Sequence, residues 1–306
     1  MARNVGASVQ AKLKNVSKER GVDMSALLRR YAQERLLYRL SVSPEADNFC
    51  VKGGLLLSAY NGGDLLRPTE DVDFNGFDPE SDVATVEAAL RRVLAVDVED
   101  DGVTFLPETI TVHKDRTGRI PGGKLALQAM VHTSRVDVRV DVGFGNPVTP
   151  GVRRMVMPTL LPGDVPQPEV LAYPLETVIA EKVHAMAQFG LLNTRVKDYW
   201  DVWMLSKTHE FDGGTVAEAI VRTFEAQDRE IPETLEGLGR TYADEQSRAW
   251  KAFLKRIGAE FPADFAEVVD DVSAFVEPAV QAGRSGTAFD GSWHPDSGWS
   301  SPSPRP

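Results

Sequence analysis

The chain has 306 residues, of which 42% are hydrophobic and 26% charged, a composition typical of a folded protein with one large or two smaller domains. It has no apolar run of about 18 residues and no apolar secretory core near its first residue, so we expect a cytoplasmic protein without membrane spans. Its formal net charge of −11 argues against non-specific coating of nucleic acid, which needs a surplus of Lys and Arg.

The first 40 residues differ from the rest of the chain in their charge. They carry nine basic and three acidic residues. Apolar periodicity predicts helices over residues 7–20 and 24–40. Two interpretations of the basic side chains stay open: an arm that faces RNA, or an amphipathic helix pair whose charged face contacts water.

Secondary-structure patterns then predict an α+β lobe followed by a mainly α-helical lobe. Short β-like runs dominate from residue 49 to 144, with one helix near 80–95, and helical patterns dominate from 174 to 282. Of the last 23 residues, 13 are Gly, Ser or Pro. The expected segments are a helical preface (1–46), the α+β lobe (47–150), a helical lobe (151–283) that begins with a Pro-rich connection, and a disordered tail (284–306).

Two aspartates separated by one valine form the first candidate site. In an extended strand alternate residues share a face, so Asp71 and Asp73 project together while Val72 and Phe74 point into the core. Two carboxylates about 4 Å apart repel by roughly 4 kcal/mol at an effective dielectric of about 20, and a divalent cation would reverse this repulsion. Oxygen ligands suit magnesium or manganese. The alternative is a strand end whose aspartates simply face water.

A third carboxylate comes from a later strand. Residues 135–142 alternate strictly, with valines on one face and Asp137, Arg139 and Asp141 on the other. Asp141 lies near the end of the strand, where a site is expected, whereas Asp137 and Arg139 can form an ion pair on the same face. We therefore expect Asp141 to bind metal, because three carboxylates from two strands can hold two magnesium ions against a triphosphate.

A Lys52-Gly53-Gly54 turn precedes the aspartates and leads into an apolar segment that is typical of a buried helix. Glycines at a helix N-terminus let backbone N–H groups approach a phosphate closely, so Gly53 and Gly54 are candidate nucleotide-binding residues. A glycine pair that only makes a turn is the alternative. Arg67 follows this turn and could contact a phosphate through two guanidinium N–H groups.

A lysine lies on the apolar face of a predicted helix in the second half. Helical periodicity over residues 174–190 puts Lys182 in the middle of an apolar stripe, where an unpaired ammonium is costly. Either a buried ion pair or phosphate binding would explain this position, and we expect phosphate binding. On the next predicted helix Asp198 also lies beside apolar residues, and it could pair with Lys182 or accept a proton from an attacking group.

Together these motifs resemble those of the AbiEii/AbiGii family of nucleotidyltransferase toxins, which includes the MenT toxins and belongs to the DNA polymerase β-like superfamily. The resemblance extends from about residue 20 to residue 260. Its motifs are Lys52-Gly53-Gly54, residues 67–74, residues 140–143, Glu181-Lys182 and residues 195–201.

The resemblance implies a polymerase β-like nucleotidyltransferase lobe, with a mixed β-sheet flanked by helices, before the helical lobe. It implies transfer of a nucleoside monophosphate from an NTP with Mg²⁺ or Mn²⁺ as cofactor. Matched by motif, Asp71 and Asp73 would bind metal, Lys182 would bind phosphates, and Asp198 would be an essential acid, which makes these four the catalytic candidates. The nucleotide-binding candidates would be Gly53, Gly54, Arg67, Thr69 and Lys182.

The resemblance also implies partners. In relatives the acceptor can be the 3′ end of tRNA, and a neighbouring AbiEi-type antitoxin restrains the toxin. Thr69 matches a position where a relative carries a regulatory, phosphorylatable hydroxyl.

Two other functions compete with nucleotidyl transfer. A metal-dependent glycosyltransferase also uses an aspartate-any-aspartate motif, but that function leaves Lys182 and Asp198 unexplained and needs a larger parallel sheet. A protein that keeps the fold as an interaction module would have no need of the retained carboxylates. Nucleotidyl transfer therefore explains the most motifs.

Overall fold

A computed structural model of the chain describes residues 4–63, 69–78, 82–115 and 122–300. The chain divides into two compact units. Unit 1 comprises Met1–Asn146 and Val152–Tyr173, and unit 2 comprises Pro147–Gly151 and Pro174–Pro306. No helix within the described part of the chain combines the length and the apolarity that a membrane span requires.

Unit 1 begins with the two helices that periodicity predicts. Its helices are α1 (Val5–Arg20), α2 (Met24–Ser41), α3 (Gly53–Tyr60) and α4 (Val83–Leu94). Asn4 caps α1 by accepting a hydrogen bond from the Ala7 N–H, and Asp23 caps α2 in the same way through Ala26. Gly21, at φ 65°, ends α1 in the left-handed conformation that glycine adopts easily.

Within the described residues, unit 1 contains one seven-stranded mixed sheet of order β3-β4-β5-β2-β1-β7-β6. The strands are β1 (Phe49–Lys52), β2 (Asp71–Gly76), β3 (Val103–Asp115), β4 (Gly122–Val131), β5 (Ser134–Phe144), β6 (Arg153–Val156) and β7 (Glu169–Ala172). Strand β2 runs parallel to β5, and β1 runs parallel to β7, whereas the other pairs are antiparallel. Helices α2 and α4 pack against this sheet. The predicted α+β class with a mixed sheet flanked by helices is confirmed.

The boundary of unit 1 differs from the expected lobe boundary at residue 150. Residues 152–173, expected to begin the helical lobe with a Pro-rich connection, return to unit 1 as β6 and β7. Strand β7 pairs with β1, where Cys50 lies opposite Leu171 and Val51 lies opposite Ala172. Four-residue strands between prolines have too little periodicity to be read from sequence, and their position depends on this long-range pairing.

Helix α2 is buried along most of its length, including four of its five charged residues. Arg30, Glu34, Arg35 and Arg39 are all buried. Arg30 pairs with Glu34 at 2.9 Å, and Arg39 pairs with Asp101 at 2.7 Å. These three arginines therefore face the protein interior, neither RNA nor water, and the basic count of the first 40 residues overstates the exposed positive charge.

Unit 2 is mainly helical, as predicted. Its helices are α5 (Leu175–Phe189), α6 (Val196–Thr208), α7 (Gly213–Ala226), α8 (Arg240–Ile257) and α9 (Phe265–Ser285), and its short strands are β8 (Phe211–Asp212), β9 (Ser292–His294) and β10 (Gly298–Ser300). The core contains a cluster of aromatic rings in which Trp250 stacks on Phe265 and Tyr199 stacks on Tyr242, with ring centroids 4.8 and 4.9 Å apart.

The last residues differ from the expected disordered tail. Strands β9 and β10 form a small antiparallel sheet with β8. Trp293 and Trp299 pack against Phe275, with ring centroids 4.8 and 5.8 Å apart, and the Trp293 indole donates a hydrogen bond to the Ser206 carbonyl. Two tryptophans bury enough apolar surface to order a segment whose composition is otherwise rich in Gly, Ser and Pro. Residues 301–306 lie outside the described residues.

Replacing Asp101 should test how strongly the interior of unit 1 depends on its buried charges. In Asp101→Ala the buried Arg39 guanidinium loses its carboxylate partner, and we expect the free energy of unfolding to fall by about 3–5 kcal/mol in urea titrations. Asp47→Ala is the matched control, because Asp47 pairs with Arg154 at 2.7 Å on the exposed surface of the same unit. It should leave stability nearly unchanged. Similar losses in the two variants would contradict this account.

Candidate active site

Strand β2 lies between β1 and β5 and brings charged residues of adjacent strands into one row. In the strand register Lys52 is opposite Asp73, Asp73 is opposite Asp141, and Asp141 is opposite Lys124. Residues directly opposite one another project from the same face of a sheet, and Asp71 shares that face because it precedes Asp73 by two residues. The structure therefore brings Asp71, Asp73 and Asp141 together on one face of unit 1.

The alternation of β2 and β5 explains why these carboxylates face outward. Val72, Phe74, Val140 and Val142 are all at most 5% exposed and form the core side of the two strands. The three aspartates alternate with these residues and are half-buried. Burial of the apolar side chains thus fixes which way the acidic ones point.

The carboxylates influence one another electrostatically. Burial raises the pKa of Asp71, and the nearby negative charge of Asp141 raises it further. The positive charges of Arg139 and Lys124 act in the opposite direction. Lys124 Nζ lies 3.0 Å from Asp141 Oδ2. An additional cation at this face would relieve the remaining repulsion between the carboxylates.

Gly53 gives the Asp73 carboxylate room at the start of α3. Its φ is 73°, and a Cβ atom placed on it would lie 1.9 Å from Asp73 Oδ2 and 2.9 Å from Asp73 Cβ. Both the backbone conformation and the close approach therefore require glycine here. Gly54 is the second residue of α3, and Lys52 precedes the helix with its Nζ 5.5 Å from the centre of the Tyr173 ring.

The segment before β2 is described only in part. Arg67, a predicted nucleotide-binding residue, lies outside the described residues. Thr69 is half-buried, and its hydroxyl donates a hydrogen bond of 3.3 Å to the carbonyl oxygen of Asp71. Thr69 is thus attached to the backbone of the strand that carries the first two aspartates.

The aspartates have the donor chemistry that a hard divalent cation requires, since carboxylate oxygens are the ligands that Mg²⁺ and Mn²⁺ prefer. Their side chains are nevertheless engaged with the protein, Asp141 with Lys124 and Asp73 against Gly53. Within residues 4–63, 69–78, 82–115 and 122–300, no three His, Cys, Asp or Glu side chains already form an arrangement that could hold a metal ion. The donor types fit the metal, and their arrangement is not a preformed cage.

In unit 2 the predicted lysine lies in a cluster of paired charges. Lys182 Nζ donates hydrogen bonds of 2.8 Å to Asp198 Oδ1 and 2.7 Å to Asp201 Oδ2, and Arg195 Nε lies 2.8 Å from Asp198 Oδ2. The side chains of Lys182, Asp198 and Asp201 are 12%, 1% and 4% exposed. Lys182 therefore forms the buried ion pair that was one of the two explanations for its position. This pairing explains why an ammonium lies on the apolar stripe of the helix. Phosphate binding by Lys182 stays a prediction.

Sequence reasoning missed three members of these clusters. Asp201 received no role, yet it lies three residues after Asp198 and so shares its helix face, a spacing that is visible in the sequence. Lys124 and Lys52 received no role. Their position beside Asp141 and Asp73 depends on strand register, which no local pattern reveals.

The family model described as "Nucleotidyl transferase AbiEii toxin, Type IV TA system" matches residues 35–273. No curated protein matches the chain at a significant level.

Two solved structures from Helicobacter pylori are similar at low identity. One is a protein proposed to be a nucleotidyltransferase, with 14% identity, a TM-score of 0.44 and coverage of 85% of this chain and 95% of that one. The other is JHP933, with 12% identity, a TM-score of 0.43 and coverage of 87% and 94%.

Substituting Gly53 should separate backbone strain from the contact with Asp73. Gly62→Ala is the matched control, since Gly62 has a φ of 71° and nothing within 4 Å of the added Cβ. It should cost about 1–2 kcal/mol of stability through strain alone. Gly53→Ala should cost about 1–3 kcal/mol more, because Asp73 must also move. Urea unfolding measures both, and equal losses would contradict the close contact with Asp73.

Removing the Lys182 ammonium should reveal its structural role in unit 2. Lys182→Met leaves two buried carboxylates with less neutralising charge, and we expect the free energy of unfolding to fall by about 3–5 kcal/mol. Lys207→Met is the control, because Lys207 pairs with Asp271 at 2.9 Å with both side chains about 40% exposed, and it should change stability little. Denaturant titration of both variants is the measurement, and an unchanged Lys182→Met would refute the structural role.

Proposed function

Because this chain belongs to the AbiEii family of nucleotidyl transferase toxins of type IV toxin–antitoxin systems, we propose that it transfers a nucleoside monophosphate from an NTP to the 3′ end of a tRNA, with magnesium as cofactor. Membership of this family makes the chain a nucleotidyltransferase and supports nucleotidyl transfer over the glycosyltransferase and inactive-module alternatives. The observation that most supports the proposed site is the convergence of Asp71, Asp73 and Asp141 on one face of β2 and β5.

Asp71, Asp73 and Asp141 would hold the divalent cation. When bound, this cation would supply charge neutralisation for the phosphates of the NTP and for the attacking oxygen. The protein's part is to hold three carboxylates on one face of two adjacent strands. Burial and the negative charge of Asp141 both raise the pKa of Asp71, and a cation bound at this face would offset both effects.

The turn at the start of α3 would bind the NTP phosphates. The first backbone N–H groups of a helix have no partner within the helix and carry partial positive charge, which suits a phosphate oxygen. Gly53 and Gly54 provide these groups next to Asp73. Arg67 and Thr69 would add contacts from the segment before β2, and the family resemblance makes Lys182 a further candidate for phosphate binding.

Asp198 would act as a positioning residue. It accepts a hydrogen bond from Lys182 through one carboxylate oxygen and lies beside Arg195 through the other. Both carboxylate oxygens of Asp198 are thus already in contact with cationic side chains. Fixing the Lys182 ammonium therefore suits Asp198 better than accepting a proton from the attacking hydroxyl.

The proposed acceptor and the proposed regulator of the chain are both inferred from its family. Family membership implies an antitoxin partner, and we propose that it is of the AbiEi type. The charge of −11 requires that any tRNA contact use a local positive surface. The buried Arg30, Arg35 and Arg39 do not supply that surface.

The proposed activity can be measured by incubating the purified protein with labelled NTPs, magnesium and total RNA. We expect label in the tRNA fraction that is lost when the last nucleotide of the 3′ end is removed from the product. Label on protein instead of RNA would show that the acceptor is a protein and not tRNA. Absence of NTP-derived label from every fraction would refute the proposed transfer.

Asp71→Asn should abolish this transfer without unfolding the protein. Loss of one ligand charge should lower the rate roughly a hundredfold or more, since metal-ion catalysis contributes several kcal/mol and each 1.4 kcal/mol is about tenfold. Asp137→Asn is the matched control, because Asp137 is exposed and lies on the same face of β5, four residues before Asp141. It should retain activity. Transfer at the wild-type rate by Asp71→Asn would overturn the site assignment.

A further inference from the structure

We propose that Lys124 is an internal counter-ion that competes with the divalent cation for Asp141 and so lowers the affinity of the site for metal in the absence of NTP. This inference rests on the proposed metal site. It gives a function to a lysine that neither the family motifs nor the sequence pattern singled out.

The geometry of the pair supports competition for one carboxylate. Lys124 Nζ lies 3.0 Å from Asp141 Oδ2, at the distance of a charge-assisted hydrogen bond. In the proposed site the same carboxylate would be a ligand of the divalent ion. An ammonium and a divalent ion at one carboxylate repel each other, so the presence of either one weakens binding of the other there.

The register of the strands places Lys124 next to Asp141. Lys124 and Asp141 are Cα partners on the antiparallel strands β4 and β5. Side chains that are directly opposite on one face lie close enough to pair without any movement of the backbone. The ammonium is therefore held near Asp141 by the same hydrogen-bonded ladder that places Asp141 beside Asp73.

The two side chains of the pair differ in their exposure to solvent, and the more exposed one can move away from the other more easily. The Lys124 side chain is 59% exposed, whereas that of Asp141 is 28% exposed. A lysine ammonium on a flexible four-carbon chain can move into solvent at little cost, while the aspartate on its short side chain stays at the strand. Metal binding would thus displace Lys124 and leave Asp141 in place.

This arrangement links metal affinity to the presence of nucleotide. The phosphates of an NTP at the neighbouring α3 turn would offer the displaced ammonium an anionic partner. The metal should therefore bind more tightly together with an NTP than alone, and part of this difference should depend on Lys124. Binding of the two ligands would be mutually favourable to the same extent.

The experiment measures Mn²⁺ binding directly, by titrating free Mn²⁺ with electron paramagnetic resonance in the absence of NTP. Lys124→Gln should bind Mn²⁺ roughly three- to tenfold more tightly than the unmodified protein, a modest factor because solvent screens the exposed ammonium. Lys124→Arg keeps the charge and should bind Mn²⁺ like the unmodified protein. Lys207→Gln removes an equivalent exposed lysine in unit 2 and should change nothing.

A double-mutant cycle tests whether Asp141 is the group for which Lys124 competes. In an Asp141→Asn background, replacing Lys124 by Gln should alter Mn²⁺ affinity by much less than in the unmodified protein. Unchanged or weaker Mn²⁺ binding by Lys124→Gln would overturn the inference, as would an undiminished effect in the Asp141→Asn background.

The failure of this inference can be told apart from failure of the proposed function. If the protein transfers nucleotide and loses Mn²⁺ binding in Asp71→Asn, but Lys124→Gln does not tighten Mn²⁺ binding, only the role of Lys124 falls. If the unmodified protein neither binds Mn²⁺ nor labels any acceptor, both proposals fall together.

Discussion

The parallel pairing of β2 with β5 is the constraint on which the acidic site depends. It puts Val72 beside Val140 and Phe74 beside Val142 on the core side, and it thereby puts Asp73 beside Asp141 on the other side. A slip of one residue would bury the carboxylates and expose the valines, so hydrophobic burial enforces the register that the chemistry needs. Packing of the core of unit 1 therefore also fixes the positions of the three aspartates.

Paired charges recur in the interior of both units. Arg39 with Asp101 in unit 1, and Lys182 with Asp198 and Asp201 in unit 2, are held by short hydrogen bonds with little exposure to solvent. Such groups contribute little net stability relative to apolar replacements, but each makes its partner indispensable, because a single buried charge is costly. The fold therefore tolerates few changes at these positions, whether or not they take part in the reaction.

Sequence patterns predicted well which face of a strand or helix a side chain occupies, but they predicted poorly which side chains pair with each other. Alternation of apolar and acidic residues in β2 and β5 correctly assigned Asp71, Asp73 and Asp141 to the outer face, because one residue's direction depends only on its neighbours along the strand. The apolar stripe of α5 likewise identified Lys182 as anomalous. Its second partner, Asp201, went unrecognised, since a charge plotted on one helix does not reveal which side chain of the next helix will meet it.

The sequence by itself determined the α+β class, the helical second half and the chemistry of the candidate residues, because these follow from local periodicity and from residue type. Only the tertiary structure decided that β7 joins β1, that two tryptophans order residues near the C-terminus, and that Lys124 pairs with Asp141. Each of these depends on contacts between segments far apart in the chain, whose free energy is set by packing and register and has no local signature.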